Sequence, residues 1–304
     1  MILVAGGTGT LGRSLIPRLL ARGESVRVLT RGVRAEAHAL PAGVEAVIGD
    51  VRDRRAVDRA MTGARTVVSA IQGFGGPGAA GVRAIDGQGN ANLIAAAEAA
   101  GVDRFLLLSI GQASPDHPSE LFRVKAEAER RLRASSLAWT IVRPTAYQET
   151  WLELVGRPLV ETGRTRVFGR GRNPINFVSA DDVAGIVDAA LFDPALRAAT
   201  IEVAGPEDLT FEAFVATVRQ VTGARGSVSH VPLAMMRLLA TVLGPVKPIL
   251  AAQIATAVVM DTRDMTADAT DRRRRFPSVA VTRLEEAASR RLPVARGAFA
   301  DHPA

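Results

Sequence analysis

The chain has 304 residues, of which 47% are hydrophobic and 23% are charged. This composition is typical of globular proteins and excludes disordered and fibrous classes. The absence of cysteine excludes disulfides, thiolate nucleophiles and cysteine-ligated zinc. The net charge of +7 comes from arginine, since only Lys125 and Lys247 among the 38 basic residues are lysine. Because this reflects a bias toward arginine, we do not expect a nucleic-acid partner.

Short apolar segments alternate with helical patterns from the first residue onward. The predicted strands are 2–5, 25–30, 44–49, 66–71 and 104–109, with helices beginning at about Thr10 and at Asp53. Further along the chain, the pattern predicts helices at 118–134 and 180–192 and strands at 138–143 and 200–203. Each apolar run is nearly continuous, as in a strand covered by helices on both faces. The predicted class is therefore α/β, with a Rossmann-type doubly wound parallel sheet.

The regular alternation of strands and helices loosens after Pro144. We predict a Rossmann domain at 1–144, to which residues 177–204 return, and a smaller C-terminal substrate or lid lobe made of 145–176 and 205–304. The basic run at 272–275 is interpreted as a solvated turn; the alternative is contact with a phosphate backbone.

The segment 231–260 is strongly apolar, but its longest run without a charge is 13 residues, too short to span a membrane. Since Gly244 and Pro245 interrupt it, we predict two short helices, at 232–243 and 248–260. These helices would either line a site for an apolar ligand or belong to the core.

A glycine-rich segment directly follows the first predicted strand and begins the first helix. It consists of Gly6, Gly7, Thr8, Gly9, Thr10, Leu11 and Gly12. In this context, glycines permit a tight turn and close approach of the backbone to a pyrophosphate, which then faces the N-terminus of the helix. The segment predicts dinucleotide binding; the alternative is an ordinary turn between strand and helix.

The end of the second strand bears on the choice of cofactor. Arg31 and Arg34 lie there, and no carboxylate occurs before Glu36. A carboxylate would accept hydrogen bonds from the ribose of NAD, whereas a cation favours the 2′-phosphate of NADP. We therefore expect NADP(H), with NAD(H) as the alternative.

The third strand is followed by Asp50 and Val51. These residues are candidates for contact with the adenine, whose amino group Asp50 would bind. Alternatively, Asp50 or Asp53 caps the next helix.

Several motifs together resemble the NmrA-like branch of the atypical short-chain dehydrogenase/reductases. They are GGTGTLG at 6–12, GD at 49–50, SAIQGFGG at 69–76, AGVDRFLLLS at 100–109, FRVKAEAE at 122–129, WTIVRPTA at 139–146 and FVSADDVA at 177–184. The resemblance covers roughly residues 1–205 and implies a Rossmann fold that binds NAD(P)(H). It also implies cofactor contacts from Ser69, Ala70, Pro144 and Thr145. Such families include reductases of ketones, quinones and alkenes, epimerase-like enzymes, and proteins that bind the cofactor without turnover.

The sequence departs from this family's enzymes at the proton donor. Active members typically carry Tyr-x-x-x-Lys, but Leu121 stands four residues before Lys125, and the only tyrosine, Tyr147, has Trp151 four residues after it. Lys125 is the only lysine in the first 246 residues. We expect it to hold the cofactor ribose and to be a candidate acid; the alternative is a surface lysine paired with Glu129.

Three other side chains are candidates for catalysis, and two of them have a structural alternative. Ser109 resembles the family's substrate-orienting hydroxyl, or else satisfies nearby backbone. Tyr147 follows the segment that passes the nicotinamide in the family, or else is a half-buried aromatic whose hydroxyl is satisfied. His117 has a pKa suited to proton transfer, on a loop before the lysine helix.

Two further segments have structural or substrate-side interpretations. The loop containing Phe74 would cover a substrate or simply connect two elements. Ser179 and Asp182 are expected to cap a helix and to offset its dipole.

Taken together, these features predict an NADPH-dependent oxidoreductase that reduces a small hydrophobic carbonyl, quinone or conjugated substrate. The alternative is a non-catalytic NAD(P)-binding regulatory or scaffold protein. The spacing of the four histidines predicts no metal site. Without a signal peptide or a spanning segment, we expect a cytoplasmic monomer or homodimer.

Overall fold

The computed structural model describes residues 1–32, 40–75 and 81–295. It divides into two compact units, which are described separately. The first contains Met1–Pro144 and Val183–Val203, and the second contains Thr145–Asp182 and the chain from Ala204 onward.

The described strands, in chain order, are β1 (Ile2–Ala5), β2 (Val26–Thr30), β3 (Glu45–Ile48), β4 (Thr66–Ser69), β5 (Arg104–Leu108), β6 (Trp139–Pro144), β7 (Ala146–Tyr147), β8 (Arg164–Phe168), β9 (Ile175–Val178), β10 (Ala199–Val203), β11 (Glu207–Leu209) and β12 (Ser227–Val231).

The described α-helices are α1 (Thr10–Ala21), α2 (Arg54–Met61), α3 (Asn90–Ala99), α4 (Glu120–Arg133), α5 (Gln148–Trp151), α6 (Arg157–Thr162), α7 (Ala180–Phe192), α8 (Phe211–Thr222), α9 (Leu233–Leu243), α10 (Pro248–Thr262), α11 (Thr270–Arg275) and α12 (Leu284–Arg291). Two π-helical segments, Arg83–Gly89 and Leu152–Gly156, and a 3₁₀ turn, Pro194–Leu196, complete the described elements.

The first unit is built on a seven-stranded sheet in the order β10-β6-β5-β4-β1-β2-β3. All of its neighbouring strands pair in parallel. Its central strands are fully buried, as the continuous apolar runs require. This arrangement confirms the predicted Rossmann-type sheet. The order reverses between β1 and β4, and at such a point an open α/β sheet binds its ligand beyond the carboxyl ends of the strands.

The second unit contains two small sheets, of order β11-β9-β7 and β12-β8. Its core packs Leu152, Phe177, Phe211 and Phe214 with the buried face of α12. The sequence prediction placed residues from 177 onward with the Rossmann domain, but the boundary falls between Asp182 and Val183. The reason is that β9 pairs with β7 and β11, which belong to the second unit.

Two predictions for the second unit have definite outcomes. The two short helices in the apolar segment are confirmed as α9 and α10. The solvated turn at 272–275 is wrong for Arg272, which lies in α11, is 2% exposed and pairs with Asp182 at 3.0 Å. No helix among the described residues is both long and apolar enough to cross a membrane.

Candidate functional site

The glycine loop after β1 lies tightly against the end of β4. Gly6 has a φ of +89°, and a Cβ built on it would stand 2.4 Å from the carbonyl oxygen of Ala70. A Cβ on Gly12 would stand 2.3 Å from the carbonyl oxygen of Gly7. Both positions therefore require glycine. Gly6 requires it because of its positive φ and its close approach to Ala70, and Gly12 because of its close approach to Gly7. This packing places the start of α1 at the carboxyl ends of β1 and β4, where the strand order reverses.

The N-terminus of α1 fits a pyrophosphate. Its N-cap is Gly9, which offers no capping side chain, and its first turn contains no acidic residue. The first-turn N–H groups, including those of Thr10 and Leu11, have no partner within the helix, because the preceding residues lie outside it. Together with the helix dipole, these groups favour an anion at this position. Thr8 and Thr10 are half-buried beside them.

Arg31 follows β2 and is exposed, whereas Arg34 lies outside the described residues. Asp50, after β3, accepts hydrogen bonds from the Arg52 side chain at 2.8 and 3.0 Å and from its backbone N–H at 2.9 Å. These hydrogen bonds, with the charges of Arg52 and Arg31, hold the pKa of Asp50 below its ordinary value. Asp53 caps α2 by accepting from the N–H of Arg55, so the capping alternative applies to Asp53.

The end of β4 is held by a buried hydrogen-bond network. Ser69 donates to the side-chain oxygen of Asn90 at 2.6 Å, and the Asn90 amide donates to the carbonyl oxygen of Asp86 at 2.7 Å. Ala70 donates its N–H to the carbonyl oxygen of Ala5 at 2.8 Å. The carbonyl oxygen of Val51 similarly accepts from an asparagine of α3. Ser69 is thus fully buried and committed to structure, while the backbone at Ala70 faces the glycine loop.

Lys125 lies in α4 and is 5% exposed. Its Nζ stands 2.8 Å from Oδ1 of Asp86 and donates to the carbonyl oxygens of Leu108 at 3.0 Å and Ile71 at 3.3 Å. The ammonium is thus held by two hydrogen bonds to carbonyl oxygens and by an ion pair with a buried carboxylate. The other carboxylate oxygen of Asp86 accepts from the N–H of Gly73 at 2.8 Å. The ammonium therefore ties the ends of β4 and β5 to the π-helical segment.

The alternative in which Lys125 is a surface residue paired with Glu129 is wrong. Glu129 is fully buried and accepts instead from Arg143 at 2.6 and 2.8 Å, from Arg133 at 2.9 Å, and from the hydroxyl of Ser109. Burial alone would raise the pKa of Glu129, but the hydrogen bonds from Arg143 and Ser109 and the charges of both arginines outweigh it, so this pKa is lowered. The Ser109 hydroxyl donates to a carboxylate rather than satisfying the local backbone.

His117 belongs to the first unit, on the loop before α4. Its ring stacks on Phe122 with centroids 3.9 Å apart, and its Nδ1 accepts from the N–H of Ser119 at 3.1 Å. Because Nδ1 is an acceptor, the proton of the neutral ring lies on Nε2.

Tyr147 lies in the second unit, at the end of β7. Within the described ranges, no residue forms a hydrogen bond with its half-buried hydroxyl. Tyr147 is half-buried, as its structural alternative expects, but no hydrogen bond from the described residues supports the satisfied hydroxyl of that alternative. Burial, and then the negative charge of Glu149, raise the pKa of the phenol. The phenol is thus protonated but a weaker acid than an unperturbed tyrosine.

Pro144 and Thr145 occupy the junction between the two units in the sequence. The carbonyl oxygen of Pro144 accepts from the N–H of Gly111 at 2.9 Å, within the first unit. Thr145 donates its hydroxyl to Asn176 at 2.8 Å, within the second.

The helix α7 begins with a buried polar cap. Ser179 accepts from the N–H of Asp181 at 3.2 Å, and Glu149 accepts from the N–H of Ala180 at 2.9 Å. Asp182 is buried and binds Arg272 and Thr282. These contacts support the structural interpretation of Ser179 and Asp182. Among the described residues, no group of histidines and carboxylates could hold a metal ion.

Two buried polar residues of the site, Asp86 and Asn90, were not identified from the sequence. They lie four residues apart on a helical stretch of small and apolar residues and are both fully buried. This spacing was a usable signal, because two polar side chains on one buried helical face require partners. No pattern in the sequence indicated that Asp86 lies in a short π-helical segment.

The comparisons with known proteins agree with this geometry. The family model described as NAD(P)H-binding matches residues 6–194. The (4-alkanoyl-5-oxo-2,5-dihydrofuran-3-yl)methyl phosphate reductase of Streptomyces griseus is 32% identical over 225 residues, which cover 73% of this chain and 74% of that protein. The photosystem II assembly factor Ycf39 of Synechocystis is 26% identical over 239 residues, covering 78% of this chain and 72% of that protein.

Among solved structures, the NADPH-dependent quinone oxidoreductase QOR2 of Escherichia coli, complexed with NADPH, shares the fold. Its TM-score is 0.74 at 23% identity, with 95% of this chain and 99% of that chain covered. The resemblance inferred from the motifs is thus confirmed, and the chain belongs to the NAD(P)H-binding family.

Proposed function

We propose that this protein is an NADPH-dependent reductase of a small hydrophobic carbonyl, quinone or conjugated substrate. The observation that carries the proposal is the continuous contact from the glycine loop to a buried ammonium. Gly6 packs on Ala70, and the next residue, Ile71, accepts a hydrogen bond from Lys125. Two similar proteins are reductases by name, one of a (4-alkanoyl-5-oxo-2,5-dihydrofuran-3-yl)methyl phosphate and the other of a quinone, and these names support a carbonyl, quinone or conjugated substrate.

The described residues offer a place for each part of the cofactor. The first turn of α1 would hold the pyrophosphate, and Arg31 would bind the 2′-phosphate that distinguishes NADPH from NADH. The Asp50 carboxylate already binds Arg52, so it would bind the adenine amino group only if the two donors shared it. The bound nicotinamide would supply a hydride. The protein would position the nicotinamide and the substrate and would supply a proton.

Lys125 is proposed to hold the nicotinamide ribose. Its Nζ is held by three contacts, two hydrogen bonds to carbonyl oxygens and an ion pair with Asp86, so a ribose hydroxyl would replace one of them. The bond to Ile71, at 3.3 Å, is the longest of the three and the one to exchange. Asp86 and Leu108 would keep the ammonium in place.

Tyr147 and His117 remain the candidates for the proton donor, with Lys125 and water. Tyr147 has a hydroxyl without a described partner, but its raised pKa makes it a poor acid. His117 would deliver a proton only as the imidazolium, whose Nδ1–H would displace the N–H of Ser119 from Nδ1. The proposal therefore retains Lys125, Tyr147, His117 and water as alternatives for the proton donor.

The test is oxidation of NADPH by a panel of quinones, enones and aromatic ketones. Removing both charges of the buried pair by Lys125→Met with Asp86→Asn avoids leaving either one alone. We expect this double variant to weaken NADPH binding and to abolish turnover. Wild-type turnover that survives in a folded double variant would overturn the role of Lys125, and no turnover with any substrate would overturn the reductase.

A second function is favoured by Leu121, which replaces the usual tyrosine and is 5% exposed, within the core. The similarity to an assembly factor supports the same alternative, a protein that binds NAD(P)H without turnover. Tight NADPH binding with no oxidation across the panel would favour it.

A further inference from the structure

The helical hairpin formed by α9 and α10, in the second unit, exposes an unusual number of apolar side chains. Six of the twelve exposed large apolar residues of the described chain lie within it: Met235, Leu238, Leu239, Val242, Val246 and Leu250. The first four share one face of α9, since they are spaced three, four and seven residues apart. Leu238 is 63% exposed and Val246 is 76% exposed.

The opposite face of α9 is also apolar and packs inward through Met236, which is 1% exposed. A helix in a globular protein normally buries its apolar face and exposes its polar one. Here one apolar face is covered and the other is not. Contiguous exposed apolar surface of this kind marks a binding face in natural proteins.

The exposed charges of the hairpin have one sign, since its one carboxylate, that of Asp261, is buried and paired with Arg170. No acidic residue occurs between Glu212 and Asp261, whereas the hairpin carries Arg237 and Lys247, both exposed. Neither cation forms an ion pair with any residue in the ranges 1–32, 40–75 and 81–295. Elsewhere in the same unit, arginines such as Arg157 are paired with carboxylates one helical turn away.

We propose that the α9–α10 hairpin binds peripherally to an anionic lipid surface. Its aliphatic side chains would enter the boundary of the acyl chains, and Arg237 and Lys247 would contact the phosphates. An apolar helix face flanked by unpaired cations is the arrangement that binds at such an interface. The bilayer is not spanned, because no described helix is long and apolar enough.

The charges argue against a second copy of this chain as the occupant. Two hairpins packed face to face would bring Arg237 and Lys247 together without a carboxylate on either side. The composition also argues against a protein partner. The exposed face has no aromatic residue, while the centres of protein interfaces are enriched in them.

The experiment is flotation of the full chain with two kinds of vesicle, phosphatidylcholine alone and phosphatidylcholine mixed with phosphatidylglycerol. We expect binding to the anionic vesicles, and high salt should weaken it. Neutralising both cations by Arg237→Gln with Lys247→Gln should lower binding about fivefold per cation. Leu238→Glu should lower it about tenfold or more, because it places a carboxylate in the apolar face.

Leu154→Glu is the matched control, since Leu154 lies in the same unit and is 59% exposed, close to the value for Leu238. It should bind vesicles as the wild type does. Circular dichroism and NADPH affinity, measured without lipid, should be unchanged in all of these variants, which separates a failure here from a failure of the proposed reductase.

Three results would overturn the proposal. One is an equal loss of binding in Leu154→Glu and Leu238→Glu. A second is equal binding to neutral and anionic vesicles. The third is a chain that binds no vesicles. This includes a chain that self-associates through the hairpin face, in which case light scattering would show that Leu238→Glu disrupts the association.

Discussion

The two lysines of the chain occupy opposite surroundings. Lys125, in the first unit, is 5% exposed, and its ammonium has three acceptors, one of them the fully buried carboxylate of Asp86. Lys247, in the second unit, is exposed at the start of α10 and forms no ion pair with any described residue. One charge is neutralised inside the protein, while the other is available to something outside it.

The difference shows what lysine provides in a chain whose other cations are arginine. The compact ammonium at Lys125 fits among two carbonyl oxygens and one carboxylate, whereas a guanidinium has five donors in a planar fork. Lys247 is exposed at the start of α10, so its flexible stem keeps the charge in solvent. The ammonium of Lys125 is therefore specific for the acceptors that surround it. The ammonium of Lys247 is suited to a partner whose anionic groups are not fixed in place.

The largest effect is expected from Lys125→Met alone. It would leave the Asp86 carboxylate buried without its cation, which typically costs about 3–5 kcal/mol. Adding Asp86→Asn should restore much of this loss, since neither variant side chain is charged. Urea unfolding at neutral pH measures both. If Lys125→Met alone were as stable as the double variant, the Lys125 ammonium would not be what neutralises the Asp86 carboxylate in the folded protein.

A smaller loss is expected from Glu129→Gln, in the second buried charge cluster of the first unit. The lowered pKa of Glu129 means that its ionised form stabilises the folded state at pH values above the ordinary pKa of 4.5. This stabilisation is lost as the pH falls through the lowered pKa. At neutral pH the variant should be less stable by about 1.5–3 kcal/mol, the range for hydrogen bonds to charged groups.

The measurement is the free energy of unfolding of wild type and Glu129→Gln from neutral to acid pH. The two curves should converge as the pH falls below about 4.5. Parallel curves would show that the Glu129 carboxylate has the same pKa in the folded and unfolded states.

The sequence predicted the sheet and the glycine loop well, because both depend on local signals. Continuous apolar runs identify covered strands, and glycines followed by a helix identify the turn at Gly6. The partners of the buried charges depend on distant contacts. Spacing along α4 suggested Glu129 for Lys125, but the fold brings in Asp86, from 39 residues earlier, through a π-helical segment. Periodicity along a helix identifies which of its faces is buried. It does not identify the residues of other elements that pack against that face.

An exposed cation of the first unit gives a third test. Arg31→Ala should weaken NADPH binding about tenfold to a hundredfold and leave NADH binding almost unchanged, because only NADPH offers a 2′-phosphate. Arg54→Ala is the control, since this exposed arginine pairs with Asp58 within α2. Titration of both cofactors by fluorescence measures the affinities. Equal losses for NADPH and NADH would place Arg31 away from the 2′-phosphate.

The smallest effect on stability is expected from Lys247→Gln. With no described ion pair to lose, the variant should unfold within about 0.5 kcal/mol of wild type, as exposed substitutions usually do. Urea unfolding beside Lys125→Met gives the contrast directly. A loss at Lys247 as large as that at Lys125 would mean that its charge is used inside the protein. Unchanged stability would leave the Lys247 ammonium available to an external anion, as vesicle binding requires.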